Sequence, residues 1–330
     1  MTAPDPPTAA LIPPTAALIP PTAALIPPTA ALIPPTAALT PPTAVLTPLT
    51  GALAQLTPIG LAELTERAAL QTRFDRKYLL PLAELPHLLA GLDHTDQVLE
   101  IDGRRAFRYE SIYFDTADLV SFRLTARRRR RRFKIRTRTY LDSGLCWLEV
   151  KTEGTRGGTV KERLPYRPDD SGTLTPGRSF VDGVLAALRT GPTLTFAPTL
   201  TTSYLRSTLY LPATASRATI DVALRWEDHR GRRLALPELA IIETKTGSTA
   251  SHVDRLLWRQ GHRPVAISKY ATGLAALDPD LPAGRWQRTL RRHFHPTLHG
   301  DPGARQETSH RGGPATDPAA SCARGGSRNA

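Results

Sequence analysis

The stretch Lys134–Tyr140, KIRTRTY, alternates Lys134, Arg136 and Arg138 with Ile135, Thr137 and Thr139, so an extended strand carries three cations along one face. Five further stretches repeat the device with carboxylates mixed in. Glu149 and Lys151 share a parity in LCWLEVKTE, Lys161 and Arg163 in TVKERLPY, and Arg217 and Asp221 in RATID. Glu243 and Lys245 do so in IIETKT, and Asp75 and Lys77 in RFDRKYLL. A planar guanidinium fork suits bidentate contact with phosphate oxygens, and lysine adds point charges beside it. A few carboxylates among such cations could hold a divalent metal that also bridges phosphates. The chemistry predicted is the holding of a linear polyphosphate or a nucleoside triphosphate. An antiparallel sheet with one wet side would give the same alternation, and that reading stays open for any single strand.

The elements that must position these residues are mostly strands. FRYESIYFDT, KIRTRTY, LCWLEVKTE and TVKERLPY read as strands, the last two joined by a turn at Gly154–Gly158. TTSYLRSTLYL, RATIDVALRWED, ELAIIETKT and TRFDRKYLL complete the set. Helices are predicted over Leu61–Leu70, over PLAELPHLLAGL with a break near Pro86, around Phe180–Leu188, from Ser251 through DRLLWRQ, and over KYATGLAAL. The fold class is α+β, dominated by antiparallel strands. If the sheet closes into a barrel, the charged faces converge on its interior. Buried cations without partners are costly, so such an interior calls for a polyanion, water or both.

The 330 residues carry a net charge of +13, which points to an anionic partner: phosphate compounds first, with nucleic acid the less favoured reading. Arg127–Arg132 is an unbroken run placed in a turn between two strands, either a funnel for polyanions or a solvated loop. Two distant cysteines exclude a disulfide framework or a cysteine zinc site. No apolar run reaches the length of a membrane span and no secretory signal is evident, so a cytoplasmic location is expected. There is no nucleophile–base pair and no P-loop. Residues 1–57 contain PPTAALI heptads, whose paired prolines exclude a coiled coil and predict disorder. Residues 293–330 read as a disordered basic tail in which His293, His295 and His299 are solvated, leaving 60–292 as the folded part.

The ordered series RFDRKYLL, SIYFDT, FKIRTRTY, WLEVKTE, VKERLPY, SYLR, RATID, IIETKTG and SKY resembles the VTC polyphosphate polymerase domain of the triphosphate tunnel metalloenzyme superfamily, over about Thr72–Leu277. The resemblance implies an antiparallel β-barrel tunnel with a few flanking helices. It implies transfer of the terminal phosphoryl group of ATP to a growing polyphosphate, assisted by Mn²⁺ or Mg²⁺. It assigns Lys77, Arg136, Arg138, Lys151, Arg206 and Lys269 to catalysis, and Lys161 and Arg217 to phosphate binding, to which the charged strand faces add Lys134, Arg163 and Lys245. Glu243 matches the metal-binding glutamate, with Glu149 and Asp221 as further metal-side carboxylates. The chain lacks the paired glutamates of the superfamily's hydrolases at its N-terminal motif, which favours the polymerase branch. A triphosphatase on the same fold and a non-catalytic polyanion-binding protein are the alternatives.

Overall fold

The computed structural model describes residues 43–68, 74–153, 159–188 and 194–294. Among them are strands β1 (Thr57–Ile59), β2 (Phe74–Pro81), β3 (Gln97–Leu99), β4 (Phe107–Asp115), β5 (Phe133–Tyr140) and β6 (Leu145–Glu153). Then follow β7 (Thr159–Tyr166), β8 (Ala197–Leu211), β9 (Ser216–Asp228), β10 (Arg233–Leu236) and β11 (Leu239–Thr246). The helices are α1 (Thr43–Ala54), α2 (Leu61–Arg67), α3 (Leu85–Ala90), α4 (Val120–Ala126), α5 (Arg178–Ala186), α6 (His252–Arg259), α7 (Lys269–Leu277) and α8 (Gln287–His293).

The strands form one sheet in the order β2-β11-β9-β8-β4-β5-β6-β7, antiparallel throughout this path, with β3 and β10 pairing on β8 and β9. β1 adds a parallel pair with β3. The α+β class read from the alternating strands is therefore the observed one, but closure into a barrel is not: β2 and β7 end the order without pairing. The sheet nevertheless curls. Five strand steps separate β2 from β5, roughly 24 Å along a flat sheet. Yet Lys77 on β2 acts electrostatically on Lys134 of β5, and Glu243 of β11 acts on Lys151 of β6. Only curvature brings them that close.

The outer face is apolar and covered by helices. Leu49 and Leu53 of α1, Leu85 and Leu88 of α3, and Val253 and Leu257 of α6 pack on Tyr78, Leu80, Ile220, Val222 and Ile242. At the other end of the sheet Val181 and Leu185 of α5 cover Phe133, Ile135, Leu148 and Val150. These are the opposite-parity partners of the charged residues, so burial of the apolar side fixes which side the cations take.

Four sequence expectations change. The residues assigned to the disordered repeat include α1 and the first residue of β1, because Leu49 and Leu53 bury completely against the sheet; the preceding heptads, the Gly154–Gly158 turn, and His295 and His299 lie outside the described residues. Pro86 does not break its helix. It stands in the first turn of α3, where its missing N–H costs nothing. The arginine run links a helix, α4, to β5 rather than strand to strand. The folded part runs past Arg292 to Phe294, which is buried against Trp226.

Helix α7 fills part of the inner side. Its N-cap Ser268 accepts from the Ala271 N–H at 3.2 Å. Tyr270, Ala271 and Leu274 pack on Tyr113, Leu224 and Trp226. A Cβ on Gly273 would stand 2.3 Å from Trp226 Cδ1, so only glycine lets the helix approach this closely. Asp115, fully buried, accepts the N–H groups of Ser121 and Phe122 and the hydroxyl of Tyr270, tying α4 and α7 to the end of β4.

Candidate functional site

Strand register sets the inner face in rows. Lys134 faces Lys151, which faces Lys161; Arg136 faces Glu149, which faces Arg163; Arg138 faces Trp147. Across the curl, Lys77 faces Glu243, which faces Thr219, and Asp75 faces Lys245, which faces Arg217. Arg206 stands opposite Asp221 on the adjoining pair β8–β9. All the sequence-selected strand residues therefore share one side of the curled sheet. Lys269 reaches the same side from α7.

A bulge makes part of this possible. The β8–β9 register shifts between Ser203 and Leu205, and Ala223 opposite it adopts a left-handed φ of 53°. The extra residue moves Trp226 onto the side that Asp221 already occupies, although parity alone puts them on opposite sides.

Glu149, Asp221 and Glu243 on the inner face are each held by two cations. Arg136 donates to Glu149 Oε2 at 2.8 and 2.6 Å and to the Tyr113 hydroxyl at 3.0 Å, while Lys161 reaches Glu149 Oε1 at 3.3 Å. Arg206 grips Asp221 with both prongs at 2.6 and 2.7 Å, and Lys269 also donates to it. Lys77 meets Glu243 Oε1 at 2.9 Å, and Lys245 donates to the same oxygen. Burial opposes the charge of Glu149, but Arg136, Arg138 and Lys161 hold its carboxyl far below the ordinary range. Asp221, also against its burial, is drawn down to about 2 by Arg206 and Lys269.

Among the described residues, three of the cations nearest the centre of the face have no carboxylate partner of this kind, and Arg163 has none either. Lys134 donates to Ser268 Oγ at 3.0 Å, Arg138 has Ser111 Oγ at 3.4 Å, and Lys151 makes no ion pair among the described residues. Burial, reinforced by Lys77 and Arg136, brings the Lys134 ammonium down to about 7; burial and the two neighbouring arginines place Lys151 well below its usual value. Beside them the hydroxyls of Thr202, Tyr204 and Thr219 are buried with no hydrogen-bond partner among the described residues. The Tyr204 ring lies under Arg206 and Lys269, at 5.2 and 4.5 Å from its centroid. Tyr204 thus belongs to the site as well. Tyr109, Ser111 and Tyr113 were not singled out at all, although FRYESIYFD alternates them on one parity. Arg163 stacks on Trp147 at 4.5 Å, and Trp147 is only half buried.

A metal ion held by the protein alone does not fit this arrangement. Among the described residues no three His, Cys, Asp or Glu side chains stand together as a cation cage. Glu149, Asp221 and Glu243 lie on three different strands, each occupied by cations. Glu243, and with it Glu149 and Asp221, the carboxylates expected on the metal side, stand in this structure in contact with cations.

The proton balance of the face is testable. A folded-state lysine pKa near 7, against about 10.4 for a free lysine, means the folded protein carries fewer protons than the unfolded chain between those limits. Stability from this group therefore rises with pH across that window and is lowest below it. A bound polyanion restores the ammonium form, so tripolyphosphate binding at pH 8 is expected to take up protons. Calorimetric titration in buffers of different ionisation heat checks this. A binding enthalpy independent of buffer would show the amines already charged.

The fold and the face define a class: an α+β protein whose curled antiparallel sheet turns a phosphate-type cation array inward. The family model of the VTC domain matches residues 72–278, and the chain belongs to that family. It is accordingly an enzyme of polyphosphate or triphosphate chemistry. Solved structures similar to it include a candidate adenylate cyclase from Bacillus halodurans, 15% identical with a TM-score of 0.42, covering 61% of this chain and 96% of that one. A candidate adenylate cyclase from Vibrio parahaemolyticus is 12% identical with a TM-score of 0.37, covering 62% and 98%. A candidate adenylyl cyclase from Hippeastrum, described as having a dominant triphosphatase activity, is 16% identical with a TM-score of 0.36, covering 61% and 94%. No curated protein matches the chain. No helix among the described residues is long and apolar enough to cross a membrane.

Proposed function

We propose that the protein is an ATP-dependent polyphosphate polymerase, which moves the terminal phosphoryl group of ATP onto the end of a polyphosphate chain held along the inner face. The observation that carries this reading is the set of cations without carboxylate partners, Lys134, Arg138 and Lys151, standing between ion pairs that are already complete. A linear polyanion supplies the missing charge along the row. In the transfer, an anionic terminal oxygen of the chain forms the new P–O bond while the bond from the γ-phosphorus to the bridging oxygen breaks, and ADP leaves with the electron pair. Alignment and neutralisation of the equatorial oxygens supply most of the rate enhancement in such a reaction. Arg136, Arg138, Lys151, Arg206, Lys77 and Lys269 are the groups we assign to it, with Lys134, Lys161, Arg163, Arg217 and Lys245 along the chain.

Transfer to phosphate rather than to water is favoured by the state of the carboxylates. A water nucleophile needs a base, and Glu149, Asp221 and Glu243 are each tied to two cations that make them weak bases. A phosphate terminus is already an anion and needs none. A divalent cation then enters with the nucleotide, as part of the substrate. The test is incubation of the full-length protein with ATP labelled in the γ position and Mn²⁺ or Mg²⁺. Label in long phosphate chains, with ADP in matching amount, is the expected result. Orthophosphate without chains would replace this reading by a triphosphatase, and tight binding with no turnover by a polyanion-binding protein.

A further inference from the structure

The six arginines Arg127–Arg132 take no part in the mechanism above, yet the backbone presents them in a fixed way. Arg128 has a left-handed φ of 52°, and the turn is tied by the Arg128 N–H to Thr125 O at 3.2 Å and the Arg129 N–H to Leu124 O at 2.9 Å. Arg127–Arg131 are exposed. Arg132 continues the parity of Lys134, Arg136 and Arg138, and it ion-pairs with Glu153, the next same-parity residue after Lys151 on β6. The inner row thus runs without a break from Arg138 to Arg132, roughly 20 Å at strand rise, and enters the turn. Arg285 stands against the same turn, its Nη1 donating to Thr125 O at 2.9 Å.

Like charges crowd along this line. Besides burial, Arg132 and Arg285 are among the cations that lower the Lys134 ammonium, and Arg128 and Arg132 in turn depress Arg285, whose burial acts first. A fixed turn that assembles repelling cations beside the end of a phosphate row costs folding energy and gives back affinity for a polyanion.

We propose that the arginine turn Arg127–Arg131, with Arg285 beside it, is an outer landing site for linear polyphosphate, taking the part of a chain that extends beyond Lys134. This rests on the polyphosphate reading of the inner face. Single-stranded RNA is the other polyanion with the right charge, but its binding uses exposed aromatic rings on which bases stack. The ring nearest Arg285, Trp286, is only 1% exposed and already lies under that guanidinium. Chain length is therefore what the site reads: short triphosphates end on the inner face, and long chains span both.

The experiment measures binding of long-chain polyphosphate, tripolyphosphate and a single-stranded RNA to the full-length protein and to a variant carrying R127S, R128N, R129S, R130S and R131S. Asn at 128 tolerates the left-handed backbone, and the exposed side chains leave the core intact. The variant is expected to lose affinity for long chains by about tenfold or more, with a shallower salt dependence, and to keep its affinity for tripolyphosphate. In the unmodified protein long chains should show the steeper salt slope of the two, which needs no variant. Equal losses for both phosphates, no loss for either, or a loss confined to RNA would overturn the proposal. Failure of the inner-face reading looks different: tripolyphosphate then does not bind the unmodified protein, whatever the turn does.

Discussion

Arg138→Ala is expected to lower turnover on ATP by about 10²–10³-fold while changing the stability of the fold far less than the loss of a paired carboxylate would. Arg138 has no carboxylate partner among the described residues. Its closest polar side-chain contact is Ser111 Oγ at 3.4 Å, and it stands 5.6 Å over the Tyr109 ring, with no carboxylate in ion-pair contact. Arg136 and Arg206 repel it, and Tyr204 and the more distant Glu149 offset that repulsion. Truncation removes a positive charge aimed at the substrate and orphans no anion. Turnover should be read with binding of tripolyphosphate and a thermal midpoint on the same sample. Activity within a few-fold of the unmodified protein would remove Arg138, and with it the row, from the catalytic machinery.

Asp221→Ala makes the opposite case. Asp221 is fully buried, gripped at both oxygens by Arg206 and bonded by Lys269 from α7. Its loss leaves two buried cations uncompensated and unties α7 from the sheet. A destabilisation of about 3–5 kcal/mol follows from breaking such a buried cluster on one side. For a domain of this size that corresponds to a fall in thermal midpoint of roughly 6–20 °C. Polyphosphate should return part of the loss, because it supplies anions to the two released cations and binds only the folded state. A midpoint unchanged within about 2 °C, measured without phosphate, would mean that the cluster is not what holds α7 in place.

The same side chains show why one charge array holds two kinds of residue. Arg136 and Arg138 alternate identically in KIRTRTY. Glu149 lies directly across from Arg136 and half satisfies it, whereas Trp147 lies across from Arg138 and offers no charge. That difference ties Arg136 to Glu149 and leaves Arg138 without a carboxylate across the strand pair. Glu110, the odd carboxylate of β4, sits on the opposite parity and takes no part.

The side taken by each charged residue was determined by the sequence alone, because strand parity is local and the apolar partners Ile135, Leu148, Val150, Ile220 and Ile242 leave only one face free. The order of motifs likewise carried the family. Helix α7 was legible from its apolar run KYATGLAAL. What only the tertiary structure decided depends on distance across the sheet. Curvature brings Lys77 near Lys134, the Ala223 bulge turns Trp226 inward beside Asp221, and register assigns Glu149 to Arg136 rather than to Arg138. The open edge between β2 and β7 and the placement of Lys269 on a helix belong there too. None of these is periodic in the chain. Pairing partners and bulges are set by contacts between residues far apart in sequence, and a single strand read alone carries no record of them.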